Sequence, residues 1–568
     1  MRIIPQVWLI PIGVRALGWG AMALLTLGGG GWAPGAIATP NPQTKAEGFN
    51  ALEDVDYWAG LCRLQINAGA YDKALVACEQ AIALAPADAN LWTLRSNVLL
   101  QLQNYPDAIA SADRALFFDQ QSSLAITYRC IGYAALNDNE AALDACNNAL
   151  RVDGNWGSTS PALAWLHRGI ILSQAGQLEQ ATVALERTLL LEPNYSLALA
   201  YQCRIRNDLG LAQTAIPSCE AALAGDGQWG NESAAMAWAE QGRAYSQLRD
   251  YGAAIAAYDQ AINLDPNNAT TWTAQGQVLQ QLQRPIEALT SFTRATELEA
   301  PYSQAQLGRC GTLNRLNQHE AALEACNLAL QGDGRWGDRG IVEVFNQRSI
   351  ALTGLSRYDE ALASINRAVG ITPDYAEAHH HRAVILWYLE RYDDALAANQ
   401  RSLELAPNHA RTWLNRGIIL RSMQRHDDAL EAYDQGLQIA PYDDALWANR
   451  SVVLWHLQRY DEALASADQA IAFNPDSAQG WYNRAIALTA QKQWQNALDA
   501  YAQGLVLMPP NSPQRANALT GQGVALINLG RYQAAIAILQ AAIALNPNQP
   551  LAQQSLQTAQ QNLQPPPP

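Results

Sequence analysis

The sequence predicts an all-α protein, a stack of about fourteen helix–turn–helix units. Three observations carry that expectation. A 34-residue period runs through nearly the whole chain: counted from Ala235, places 4, 8, 11, 20, 24, 27 and 32 hold Trp238, Gly242, Tyr245, Ala254, Tyr258, Ala261 and Pro266. Place 20 is alanine in every unit, from Ala74 through Ala108, Ala142 and Ala181 to Ala535. Within a unit the apolar residues fall at helical spacing, as in Trp413, Ile418 and Leu420, then Ala429, Leu430, Tyr433 and Leu437. A fixed period of this size marks a stacked array in which no unit buries its apolar face alone.

Taken in order, residues 1–38 read as an export signal. Arg2 and Arg15 precede the apolar stretch Ala16–Leu27, and Ala36-Ile37-Ala38 is a small-x-small cleavage site before Thr39. The alternative is an uncleaved membrane anchor over Ala16–Ala38, long enough to span but broken by Gly28–Gly31 and Pro34. Residues 39–54 read as a linker. The array occupies residues 55–548, with units starting at Val55, Ala89, Ser123, Ala162, Ser196, Ala235, Ala269, Ser303, Val342, Ala376, Ala410, Asp444, Ala478 and Ala516. Small residues at places 8 and 20 allow two helices to approach closely. Proline at place 32, as at Pro86, Pro266 and Pro441, punctuates a unit because it has no N–H and disfavours helix before it. Residues 549–563 suit a capping helix, with Leu551, Leu556, Ala559 and Leu563 on one face, and residues 564–568 form a proline tail.

All eight cysteines fall in four pairs spaced by 16: Cys62 and Cys78, Cys130 and Cys146, Cys203 and Cys219, Cys310 and Cys326. Each pair occupies places 8 and 24 of one unit, and no unit has one without the other. This strict pairing predicts four disulfides, each joining two helices of one unit and contributing roughly 3 kcal/mol in the chain-entropy model. A small-apolar-filler role does not explain the pairing, and two thiols supply only half of a zinc site. With the leader, the bridges place the protein in the periplasm or another oxidising lumen.

Three cysteine units end in D-G-x-W-G: Asp153–Gly157, Asp226–Gly230 and Asp333–Gly337, each adding five residues. Their acidic spacing does not match a calcium loop, so a structural turn is expected, its Trp packed on the following helix. Unit 13 carries a separate bend at Pro509–Pro513.

The pattern resembles the tetratricopeptide repeat family over about Val55 to Asn548. That resemblance implies paired antiparallel helices stacked in a right-handed superhelix. It also implies a concave groove lined by places 2, 5, 9, 12 and 13 of each unit. At place 9 the early units are often polar, with Arg63, Asn97, Arg204, Arg243 and Gln277. From unit 9 on, the same place holds Ile350, Val384, Ile418, Val452, Ile486 and Val524. Beside this stripe stand Trp387 and Trp455, Tyr388 and His456, Tyr482 and His380, and Arg411 and Arg421. An apolar groove with aromatic anchors suits an extended or helical protein segment, with Arg421 or Arg411 placed for a carboxylate. The competing role is to fill the inner wall of a tight superhelix. With only Lys45, Lys73 and Lys492, the lysine-based carboxylate-clamp set of the family is absent. Asn415, Asn449 and Asn483, all at place 6, suit hydrogen bonds between repeats.

The net charge of −15 argues against nucleic acid as the partner. No cofactor or metal is expected. His379-His380-His381 fan out around a helix, and Gly521-Gln522-Gly523 lies within a repeat helix. No nucleophile elbow or zinc-protease motif occurs, and no catalytic residue is assigned. The expected function is an exported, non-catalytic interaction scaffold binding other proteins in the groove of units 9–14. A membrane would be touched only through an uncleaved N-terminal segment. The alternatives are a glycan-binding or envelope-organising module, and then an enzyme with an unrecognised site.

Overall fold

The computed structural model describes residues 54–563, apart from 158, 231, 338 and 339. The expected leader, nearly all of the expected linker and the proline tail lie outside the described residues. The described residues form 29 helices and no strand, in an all-α solenoid. In unit 1, for example, the helices are Val55–Asn67 and Tyr71–Leu84; in unit 12 they are Asp444–His456 and Tyr460–Phe473. Each helix packs on the next one in sequence, and each first helix also packs on the first helix of the following unit. Stability is therefore a sum over neighbours, with no central core.

The turn inside each unit is set by one backbone conformation. Place 15 has a positive φ, between 56 and 74°, in all fourteen units. Only Gly69, Gly176, Gly210 and Gly530 occupy it without a side-chain penalty. Elsewhere Gln103, Glu390, Lys492 and others accept the left-handed conformation. They do so because it lets the next N–H reach back five residues, as Arg391 N does to Leu386 O at 2.9 Å.

Between the two helices of a unit, places 8 and 24 face each other and their sizes compensate. A Cβ added to Gly242 would lie 2.8 Å from Tyr258, one on Gly276 2.9 Å from Phe292, and one on Gly417 2.3 Å from Tyr433. Where place 8 is Ser96 or Ser451, place 24 is only Ala112 or Ala467. The serine hydroxyl then donates to the carbonyl at place 20, Ala108 or Ala463, at 2.8 and 2.7 Å. The alanine at place 20 is fully buried in every unit. The cysteine pairs stand in this same contact, with Cα–Cα separations of 5.2 or 5.3 Å, and are joined as disulfides.

Successive units are locked by a second device. The indole N–H of Trp92, Trp272, Trp413, Trp447 and Trp481 (place 4) donates to the carbonyl of the preceding unit's proline, at 2.8–3.0 Å. Proline thus ends a unit while offering an acceptor to the next. The last helix, Pro550–Leu563, keeps this register, because Gln553 donates to Pro547 O at 2.7 Å.

The D-G-x-W-G loops fold back on their own unit. The loop glycines Gly154, Gly227 and Gly334 donate to the hydroxyls of Ser123, Ser196 and Ser303, the first residues of those units. Asp226 and Asp333 accept from Ser196 N and Ser303 N. The Trp side chains join apolar clusters that include residues of the following first helix, such as Val344 beside Trp336.

Candidate functional site: the face of the first helices

The first helices lie side by side, and places 2, 5, 9, 12 and 13 share one face. That face changes character along the chain. In units 5 and 6 its charges satisfy each other: Arg204 Nε donates to Glu240 at 2.8 Å, and Arg243 pairs with Asp208 at 2.5 Å. Asn207 also donates to the Glu240 carboxylate, at 3.1 Å. Glu240 is buried, so this network is a closed one that a ligand would have to break. The polar residues Arg204 and Arg243 are thus held by neighbours, whereas Arg63 and Gln277 are exposed.

From unit 9 the face carries the apolar stripe. Ile350, Val384, Ile418, Val452, Ile486 and Val524 are each half-buried, one per repeat. Trp387 is half-buried, and its indole N–H donates to Ser422 Oγ in the next unit at 2.8 Å. Trp455 is 38% exposed, with its ring edge against His456. Tyr482 sits beside Tyr501, ring centroids 6.2 Å apart. Arg421 is half-buried, and its guanidinium forms no hydrogen bond or ion pair with any described residue, so its fork of donors is available to an anion. Arg411 is exposed.

Aromatic pairs between units flank the stripe in a register that the sequence reading missed. Place 17 of one unit stacks on place 13 of the next: Tyr358 on Tyr388 at 4.9 Å, and His426 on His456 at 4.8 Å. The signal was the recurring aromatic or histidine at place 17. Burial, with His426 and Arg421 nearby, lowers the pKa of His456.

His380 faces Thr412 and His409 and is buried. Burial, reinforced by His381 and His409, pushes its pKa down to about 3. The His381 ring, 3.6 Å from the Glu377 carboxylate, pulls Glu377 down to about 2. His380 and His456 belong to separate clusters, and no group of metal-binding side chains occurs among the described residues. Of the place-6 asparagines, Asn483 donates across the repeat boundary to Ala448 O at 2.7 Å, and Asn415 reaches the His380 ring at 3.3 Å. Asn449 instead donates to Ala445 O within its own helix. No described helix is long and apolar enough to cross a membrane.

Superkiller complex protein 3 of Mus musculus is 26% identical over 291 residues, covering 49% of this chain and 17% of that protein. The Homo sapiens protein of the same name is 25% identical over 270 residues, 45% and 17% of the two chains. Protein STIP1 homolog of Dictyostelium discoideum is 28% identical over 142 residues, a quarter of each chain. The chain therefore spans a quarter or less of the length of these curated relatives. The crystal structure of the APC/C hetero-tetramer Cut9-Hcn1 aligns over 89% of this chain and 96% of that chain, at 17% identity and a TM-score of 0.42. Residues 460–491 match the protein prenyltransferase alpha subunit repeat. Tetratricopeptide repeat profiles match residues 57–126, 273–338, 374–441 and 476–548, and a further TPR repeat profile matches residues 242–283. Together these matches span more than half of the sequence, and the chain belongs to the tetratricopeptide repeat family.

Proposed function

We propose that this protein is an exported, non-catalytic scaffold that binds a segment of a partner protein along the first-helix face of units 9–14. The observation that carries the proposal is the unbroken row Ile350, Val384, Ile418, Val452, Ile486 and Val524, half-buried in six successive repeats. An interior filler would be sealed, whereas these side chains keep part of their surface in water, where burial by a partner is favourable at ~25 cal/mol per Å². Trp387 and Trp455 provide anchors at the edge, and Arg421 provides a cation for a carboxylate. Membership of a repeat family, and a relative named as part of a complex, agree with a role in assembly.

The test is capture from the exported fraction by the parent protein and by Trp387→Ala/Trp455→Ala, with unchanged circular dichroism. A protein retained by the parent and lost from the variant supports the site. Equal capture by both moves binding off this face.

Export rests on the character of residues 1–38 and on the four cysteine pairs. Intact mass of the protein isolated without reductant should show a chain starting at Thr39 and no free thiol. A chain retaining Met1 with eight free thiols would overturn the assignment.

A further inference from the structure

The three D-G-x-W-G loops are near copies, and the third stands over an opening. In unit 3, places 6 and 9 are Tyr128 and Ile131, and in unit 5 they are Tyr201 and Arg204. In unit 8 they are Gly308 and Gly311, and a recess of about 450 Å³ opens there, walled by units 6–9 and by Trp336 of the loop. The two glycines have different causes. A Cβ on Gly308 would meet the Phe292 ring at 2.3 Å, so packing requires that glycine. A Cβ on Gly311 would find its nearest neighbour, Gln347, at 3.6 Å, an ordinary contact. Packing does not demand this glycine, although it costs its helix ~0.5–1 kcal/mol relative to alanine. Its effect is to keep the recess open.

The walls are rich in carboxamides with unused hydrogen-bonding capacity. Gln277 and Gln281 form no side-chain hydrogen bond with any described residue. Gln304 accepts from Tyr302 and keeps its amide N–H groups. Arg315 donates once, to Gln280 O at 3.2 Å, and keeps its other donors. The Glu343 carboxylate, by contrast, is engaged by Gln347 and Tyr375. The loop tryptophans also differ: Trp156 donates to its own loop's Asp153, whereas Trp336 donates to Ala329 O on the preceding helix.

We infer that this recess is a binding site for a short saccharide of pyranose rings, uncharged or carrying one carboxylate. Each carboxamide donates and accepts at once, which matches a hydroxyl that does the same. Arg315 offers paired donors, and Trp336 supplies an aromatic wall for the C–H face of a ring. The volume lies within the range of small-ligand pockets, ~300–1,000 Å³. The site is separate from the apolar stripe and independent of the partner reading above.

The experiment uses the full chain and four probes: maltotriose, cellotriose, tri-N-acetylchitotriose and aldotriouronic acid, which carries one carboxylate. Binding is followed by calorimetry and by tryptophan fluorescence. At least one probe should bind. Gly311→Leu, which fills the recess from a helical position, should weaken it about tenfold or more. Trp336→Phe should remove the fluorescence change, and Trp387→Ala should leave binding intact. Gln281→Ala/Gln304→Ala provides the same test should Gly311→Leu lose its circular dichroism. The inference is overturned if no probe binds, if the filled and amide-deleted variants bind as well as the parent, or if acetyl-triglycine amide displaces the sugar at equal concentration.

Discussion

Replacing the unit 3 bridge by the residues that units 2 and 12 use at the same contact isolates what the cross-link itself contributes. The variant is Cys130→Ser/Cys146→Ala. Ser96 with Ala112, and Ser451 with Ala467, show that this pair packs in the fold. The bridge spans a sequence separation of 16, and closing a loop of that size contributes about 3 kcal/mol in the chain-entropy model. The new hydroxyl should donate to Ala142 O and return about 1 kcal/mol. The net loss is then about 2 kcal/mol, roughly a thirtyfold rise in local opening. Hydrogen exchange by mass spectrometry should show that rise in Ser123–Ala135 and Asn139–Val152, smaller effects in units 2 and 4, and none in Asp444–His456. Unchanged exchange in unit 3 would refute the assignment of stability to the cross-link. An equal rise in unit 12 would refute nearest-neighbour stacking.

Other consequences are as direct. Gly417→Ala drives a methyl to within 2.3 Å of the fully buried Tyr433 ring and should cost about 1–3 kcal/mol by urea unfolding. Gly60→Ala, with nothing within 4 Å of the new Cβ, should instead stabilise by about 0.5–1 kcal/mol. Glu390→Gly relieves a residue held at φ 58° and should raise stability by up to about 1 kcal/mol in the same assay. His380 has a folded pKa of about 3 against an ordinary 6.5, so the unfolded chain binds its proton first. Stability should fall as the pH drops through 6.5 towards 3, by about 2 kcal/mol at pH 5. His380→Gln should flatten that dependence, measured by exchange in Ala376–Tyr388. The groups facing His380 are His381, His409, Glu377 and Arg411.

The repeat places were legible because each carries a size or chemistry constraint that recurs thirteen times over. Ala at place 20 is required wherever two helices meet without room for a larger side chain. The strict pairing of places 8 and 24 points to helix-stapling bridges, because two thiols in one contact have a reason that one lacks. Place 15 was not legible: Gln, Glu, Lys, Arg, Ser, Asn and Gly share no side-chain chemistry, only a backbone angle set by the reach-back hydrogen bond. The coupling of Ser123, Ser196 and Ser303 to the loops that end their units was not legible either, because it arises only when the chain ends of a unit meet.

The same division holds for the faces available to ligands. Periodicity placed Ile350 to Val524 on one helical face, because helical geometry converts spacing into direction without reference to neighbours. Whether a side chain on that face is free depends on what the next repeat holds against it. Arg204 and Arg421 are both arginines at groove places. Glu240 consumes one, and no described residue pairs with the other. Gly308 and Gly311 look alike in sequence, yet Phe292 of the preceding unit accounts for the first, while the second has only ordinary contacts with Gln347 and Gln280 around its missing Cβ. The sequence by itself determined the unit, its count and its stapled contacts, since these are local and repeated. The tertiary structure decided the closed ion network, the open stripe and the recess, because those arise from side chains of different repeats that meet only when the units stack.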